Sequence, residues 1–137
     1  MKQMTGKQSI SFAEPVYIEG SAAVVGEMEK EGPLGAYFSH TLSDAMCGQE
    51  SWEEGESELQ LAAAKLAMQR ADVKPEQIRM VFAGDLLAQS IASSFGLVNL
   101  NCPLYGLFGA CSTIGEAISL GAMAVAGGYG DRVLAVT

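Results

Sequence analysis

Between Leu86 and Gly130 the chain carries a single acid or base, Glu116, in 45 consecutive positions. A stretch so poor in charge either crosses a membrane or forms an interior layer covered by other elements. Gln89, Ser90, Ser93, Ser94, Asn99, Asn101, Pro103 and Glu116 interrupt every window of the roughly 18 apolar residues that a span requires. The interior layer remains. Within it, residues from Thr113 to about Gly127 read as a helix with almost no polar face. Gly115, Ala117, Gly121, Ala122, Ala124 and Ala126 are too small for an ordinary amphipathic helix, and each interior glycine costs about 1 kcal/mol relative to alanine. Such a helix predicts that other backbones approach it closely on several sides, which needs more layers than this chain supplies. The sequence also stops at Leu134-Ala135-Val136-Thr137, inside what reads as a buried strand. Residues 1–137 are therefore expected to be the first part of a longer protein.

Charge is unevenly placed. The formal net charge of −8 belongs entirely to residues 1–58, which hold eleven acids and three bases, while residues 59–137 hold five of each. An acidic chain without a basic cluster excludes nucleic acid as a partner. The start, Met1-Lys2-Gln3-Met4-Thr5-Gly6, has no apolar run of the secretory kind. Cys47, Cys102 and Cys111, odd in number and without paired spacing, fit a reducing compartment better than a disulfide scaffold.

Along the chain, Ile10, Phe12, Val16 and Ile18 around Pro15 predict a short hairpin or edge segment in residues 1–20. Ala22-Ala23-Val24-Val25 predicts a strand buried on both faces, followed by a loop through Glu31-Gly32-Pro33-Leu34-Gly35. Residues 36–50 carry no clear pattern. A helix starts after Ser51, with Glu54 completing a capping box. Leu59, Ala62, Ala63, Leu66 and Ala67 form its apolar stripe, and Arg70 helps close it. Trp52 is expected to anchor that helix start, and the methionines to fill the core. Then come a turn at Pro75-Glu76, a strand over Arg79–Ala83, a short helix over Gln89–Leu97, a buried strand over Leu104–Phe108, the long helix and a strand over Arg132–Val136. Strands alternating with helices predict an α/β fold with a mainly parallel sheet.

Two residues stand where such sheets collect ligands, beyond the carboxyl ends of strands. Cys111 lies at the junction of a strand and the long helix, beside unpaired backbone N–H groups and the positive end of a helix dipole. That place suits a thiolate nucleophile and equally a bound anion. It also suits a small buried cysteine that fills a tight turn. Thr113, or Ser112, is expected to cap the helix, with Glu116 completing a second capping box. A thiol nucleophile needs a base within reach; the one histidine, His40, is expected at the surface. Asp85 follows the strand over 79–83, either facing the same crevice or capping the next helix. Cys47 and Cys102 have no metal-ligand spacing, and Gly127-Gly128-Tyr129-Gly130 ends a helix rather than opening one. No metal and no cofactor is expected.

Gly32-Pro33-Leu34-Gly35, Cys47-Gly48, Ser51-Trp52-Glu53, Ala83-Gly84-Asp85-Leu86-Leu87 and Phe108-Gly109-Ala110-Cys111-Ser112-Thr113 together resemble the stage V sporulation protein AD (SpoVAD) family, thiolase-like proteins of spore-forming bacteria. The resemblance implies a thiolase-like α/β fold in two similar halves, each a five-stranded mixed sheet with a central buried helix, residues 1–137 being the N-terminal half-domain. It implies binding of dipicolinic acid within the SpoVA system in sporulation and germination. Other SpoVA proteins would be partners at the spore inner membrane, on the cytoplasmic side in the forespore, and a homodimer is allowed. By motif match, Cys111, Ser112, Thr113 and Asp85 would line the ligand site. The other readings are a thiolase or ketoacyl-synthase type acyltransferase with Cys111 as nucleophile, and a half-domain that serves only as an assembly surface. Residues 86–130 hold no Lys or Arg, so ligand carboxylates would rely on helix N-terminal amides near Cys111–Ile114, and Asp85 would favour the calcium chelate.

Overall fold

The computed structural model describes residues 4–87 and 89–137. The chain opens with an antiparallel hairpin, β1 (Met4–Thr5) and β2 (Ser9–Ile10), turning through Gly6 at φ +65°. A hairpin therefore falls within residues 1–20, but earlier than the pattern that predicted it: of Ile10, Phe12, Val16 and Ile18 only Ile10 is in a strand, and the chain around Pro15 is in none; residues 1–3 lie outside the described residues. β3 (Val24–Val25) pairs in parallel with β4 (His40–Thr41), and the crossover between them contains α1 (Glu27–Glu31). β3 is shorter than the predicted strand and only half-buried, because it belongs to a two-stranded sheet that packs on the helix over residues 52–70. The patternless stretch 36–50 holds β4 and a turn in which the Asp44 carboxylate accepts from the Met46 and Gly48 amides.

α2 (Trp52–Arg70) begins as its cap predicts: Ser51 Oγ accepts from the Glu54 amide at 3.2 Å and donates to Glu54 Oε2 at 3.1 Å. Its buried line differs from the expected stripe. Gly55, Gln60, Ala64 and Met68 are buried, with Leu59, Ala62, Ala63, Leu66 and Ala67 half-buried. α2 is covered from several directions, so one-sided periodicity misplaces the stripe. Trp52 is 58% exposed and does not anchor the helix start. Arg70 does more than close the helix, since its Nη1 donates to Ser21 O at 2.9 Å and Ser39 Oγ at 2.7 Å.

The remaining elements are β5 (Val81–Ala83), α3 (Ile91–Leu97), β6 (Leu104–Gly106), α4 (Thr113–Ala126) and β7 (Leu134–Val136). β5 is central in an all-parallel sheet of order β6-β5-β7. The pleat sends alternate side chains to opposite faces. Val81, Ala83, Leu134 and Val136 join Ala64, Met68 and Leu97 in one cluster, while Phe82 joins Ala117 on the other side. The result is three layers, with α2 and α3 on one face of the sheet and α4 on the other. The parallel α/β prediction holds. The largest sheet has three strands rather than the five that the resemblance implies, because β3 and β4 pair only with each other among the described residues.

α4 presents its smallest residues to the sheet. Thr113, Ala117 and Gly121 are buried, and a Cβ at Gly121 would lie 3.0 Å from Val133 Cγ2. Among the described residues close approach occurs on this side: a Cβ at Gly115 would meet none of them within 4 Å, and Ile114, Ile118, Leu120 and Met123 are exposed. The predicted enclosure on several sides is thus half realised within this chain. β6 is likewise not buried and ends two residues before the predicted Phe108: Leu104 is half-buried, Tyr105 and Gly106 are exposed, and so is Phe108 beyond the strand. Met68 and Met80 are core residues, whereas Met4 and Met28 are exposed. α4 ends in a Schellman motif: the Gly128 amide donates to Val125 O, the Tyr129 amide donates to Ala124 O, and Gly128 has φ +77°. Among the described residues no helix is long and apolar enough to cross a membrane.

Candidate functional site

Parallel strands β5 and β6 end side by side, with Ala83 opposite Gly106. The chain after β5 passes Gly84, where a Cβ would lie 2.9 Å from Thr113 Cγ2 and closer still to Leu107 O. Only glycine fits this crossing, which locks the end of β5 to the start of α4. Thr113 itself is fully buried.

Cys111 sits in a 3-10 turn, Ala110–Ser112, that runs directly into α4, and it is exposed. Its exposure removes the reading of a buried cysteine filling the turn. Ala110 has φ +48°, an unfavourable region for a residue with a β-carbon that costs about 1–3 kcal/mol. The Ser112 amide donates to Gly109 O at 2.9 Å, and the Thr113 amide to Ala110 O. These two amides are therefore taken up within the turn.

The second capping box does not form. Neither Ser112 nor Thr113 caps α4; the Ser112 hydroxyl instead can donate to Gly109 O at 2.9 Å or Glu116 Oε1 at 2.6 Å. Thr113 Oγ1 is buried without a hydrogen-bond partner among the described residues. The 3-10 turn explains the difference: it satisfies the first amides with backbone carbonyls and rotates Thr113 inward. The Glu116 carboxylate, folded back toward Gly109, places a fixed negative charge beside the turn.

Asp85 is 7% exposed. Its Oδ1 accepts from the Ser90 amide at 2.9 Å, and its Oδ2 accepts from the Ser93 amide at 2.9 Å and the Ser93 hydroxyl at 2.8 Å. Of the two roles open to it in the sequence, the geometry displays the cap of α3. The helix starts at Ile91 rather than Gln89, since Gln89 and Ser90 both have positive φ. Asp85 thus supports the loop beside the Cys111 turn.

Three residues that sequence reasoning did not single out belong to this end of the sheet. Gln60, 2% exposed, donates from Nε2 to Gly84 O at 3.1 Å. Glu56 accepts from the Leu86 amide at 2.8 Å and the Leu87 amide at 3.2 Å. Ser93 is the buried partner of Asp85. Their partners are distant in sequence except for Ser93, whose eight-residue separation from Asp85 matches no local capping pattern. Gln60 Oε1 and Ser90 Oγ, like Thr113 Oγ1, are buried without partners among the described residues.

Other candidates lie elsewhere. His40 is exposed, as expected, but in β4, in a different sheet from the Cys111 turn. Cys47 and Cys102 are half-buried. Burial pushes both thiols up, reinforced at Cys47 by the Asp44 and Glu58 charges. Among the described residues, no three His, Cys, Asp or Glu side chains gather as a metal site. Two open clefts, of about 390 and 520 Å³, share Asn101, Cys102 and Pro103. Both lie by the segments entering the sheet strands, the opposite end from Cys111.

A family model described as stage V sporulation protein AD (SpoVAD) matches residues 6–137. Stage V sporulation protein AD of Bacillus subtilis (strain 168) is 36% identical over 135 residues, which cover 98% of this chain and 40% of that protein. The chain thus spans about two fifths of the length of its relative. With the match extending through the Ala83–Leu87 and Phe108–Thr113 segments that meet at the strand ends, the chain belongs to the stage V sporulation protein AD family.

Proposed function

We propose that this chain is the N-terminal part of a protein that binds dipicolinic acid and works with other SpoVA proteins at the inner spore membrane, on the cytoplasmic side, in sporulation and germination. Family membership across residues 6–137 is the observation that carries this reading. In it, residues 1–137 are the first half of a duplicated thiolase-like fold. The exposed apolar side of α4 packs against the second half, and a five-stranded mixed sheet is completed in the whole protein.

The ligand lies where the ends of β5 and β6 meet. One carboxylate takes the amides at the head of the turn, Ala110 and Cys111, which precede the amides already bound within it. Thr113 and Asp85 act from beneath by shaping the turn and its neighbouring loop, and Ser112 lies at its rim. Glu116 opposes a second negative charge, and residues 86–130 provide no Lys or Arg. The second carboxylate is therefore matched by cationic groups beyond residue 137 or by calcium.

Calorimetric titration of the full-length protein and of residues 1–137 with dipicolinate, with and without calcium, tests the reading against acetyl-CoA. Dipicolinate binding by the full-length protein is expected. Binding of acetyl-CoA alone sinks the proposal. Exposure of Cys111 favours a second reading, an acyltransferase, which requires acyl transfer from a CoA thioester through that thiol.

A further inference from the structure

The loop between β5 and α3 arches over the end of β6. It leaves at Gly84, packed on Leu107 O, and returns at Ser90, whose Oγ would lie 2.9 Å from a Cβ at Gly106. A loop beyond a parallel strand that leads into a helix ordinarily offers backbone amides to an anion. Here the Leu86, Leu87 and Ser90 amides of that loop are already occupied by the protein's own carboxylates. Glu56 takes Leu86 and Leu87, one oxygen to each, and Asp85 takes Ser90 and Ser93. With their amides turned inward to α2, the Leu86 and Leu87 side chains stand 64% and 55% exposed.

We propose that Glu56 is a positioning residue for the ligand site. By holding the Leu86 and Leu87 amides it converts an anion-accepting loop into an apolar wall, on which the ring of a flat aromatic carboxylate lies while its carboxylate faces the Ala110–Cys111 turn. The inference rests on the ligand site proposed above and adds a determinant of specificity on α2, 30 residues from the loop it shapes. An acyclic dicarboxylate of the same charge gains nothing from that wall, so the wall selects the ring.

The test compares the full-length wild-type protein with Glu56→Gln and Glu56→Ala, each titrated with dipicolinate and with glutarate. Wild type is expected to prefer dipicolinate. Freeing the two amides in Glu56→Ala should lower that preference about tenfold, the equivalent of losing one charge-assisted contact. Glu56→Gln, which keeps a single acceptor oxygen, should fall between. Amide exchange at Leu86 and Leu87 in the ligand-free protein should quicken in Glu56→Ala. Affinities that drop together at a constant ratio, alongside a lower Tm, would show a merely structural role and overturn the inference, as would unchanged exchange. A wild type that does not bind dipicolinate removes the proposed function and this inference with it. A wild type that binds, with an unaltered preference in Glu56→Ala, removes the inference alone.

Discussion

Asp85 shows how one carboxylate organises the end of a sheet. Its oxygens accept from two amides and a hydroxyl in a nearly water-free place, where hydrogen bonds to a charged group each contribute about 1.5–3 kcal/mol. Asp85→Ala should lower the unfolding free energy in urea by about 3 kcal/mol, and Asp85→Asn by less, because it retains an acceptor oxygen. The thiols should separate by exposure. Iodoacetamide at neutral pH, followed by peptide mapping, should modify Cys111 well before Cys47 and Cys102, which are half-buried and whose thiols burial pushes up. Earlier modification of Cys102 would contradict this. At Asp44, amides of Gly48 and then Met46 hold the carboxyl below its ordinary value of 3.8. A depressed carboxyl adds stability above its unfolded pKa and loses that contribution as pH falls through the folded one. The 44–48 turn should therefore hold down to pH 3.8 and loosen below it; Gly48 amide shifts with a midpoint at or above 3.8 would refute this.

Elements were legible in proportion to how local their causes are. The start of α2 follows from Ser51 and Glu54, three residues apart, and the end of α4 from Gly127-Gly128. The buried line of α2 departs from its sequence periodicity because α3, β3 and β7 all pack on that helix, so no single face stands out. Glu56 reads as one acid among many near a helix start; its bonds to Leu86 and Leu87 appear only when the chain has folded. The crossing at Gly84 is also tertiary, as it depends on Leu107 and Thr113. Gly84→Ala should cost about 1–3 kcal/mol in thermal unfolding, since a methyl there meets backbone that cannot yield. A wild-type Tm in that variant would mean the crossing is looser than described.

For the whole molecule, the apolar composition of residues 86–130 is only partly explained by burial within residues 1–137. Ile91, Phe95, Val98, Tyr105, Phe108, Ile114 and Ile118 are exposed, more apolar surface than an isolated domain ordinarily leaves to water. Residues 1–137 on their own should therefore bind an apolar dye such as ANS and self-associate in sedimentation experiments, whereas the full-length protein should bind the dye far less. Equal dye binding by both would argue against a second half covering α4. The sequence by itself determined the alternation of strands and helices, the small-residue helix, the turn at Cys111 and the family, because these rest on contiguous residues and local hydrogen bonding. Tertiary structure alone decided that Thr113 is buried rather than capping, that Asp85 caps the start of α3, and that Glu56 reaches the β5–α3 loop. The physical reason is distance along the chain: partners such as Glu56 and Leu86, 30 residues apart, meet only after α2 has packed beside the sheet.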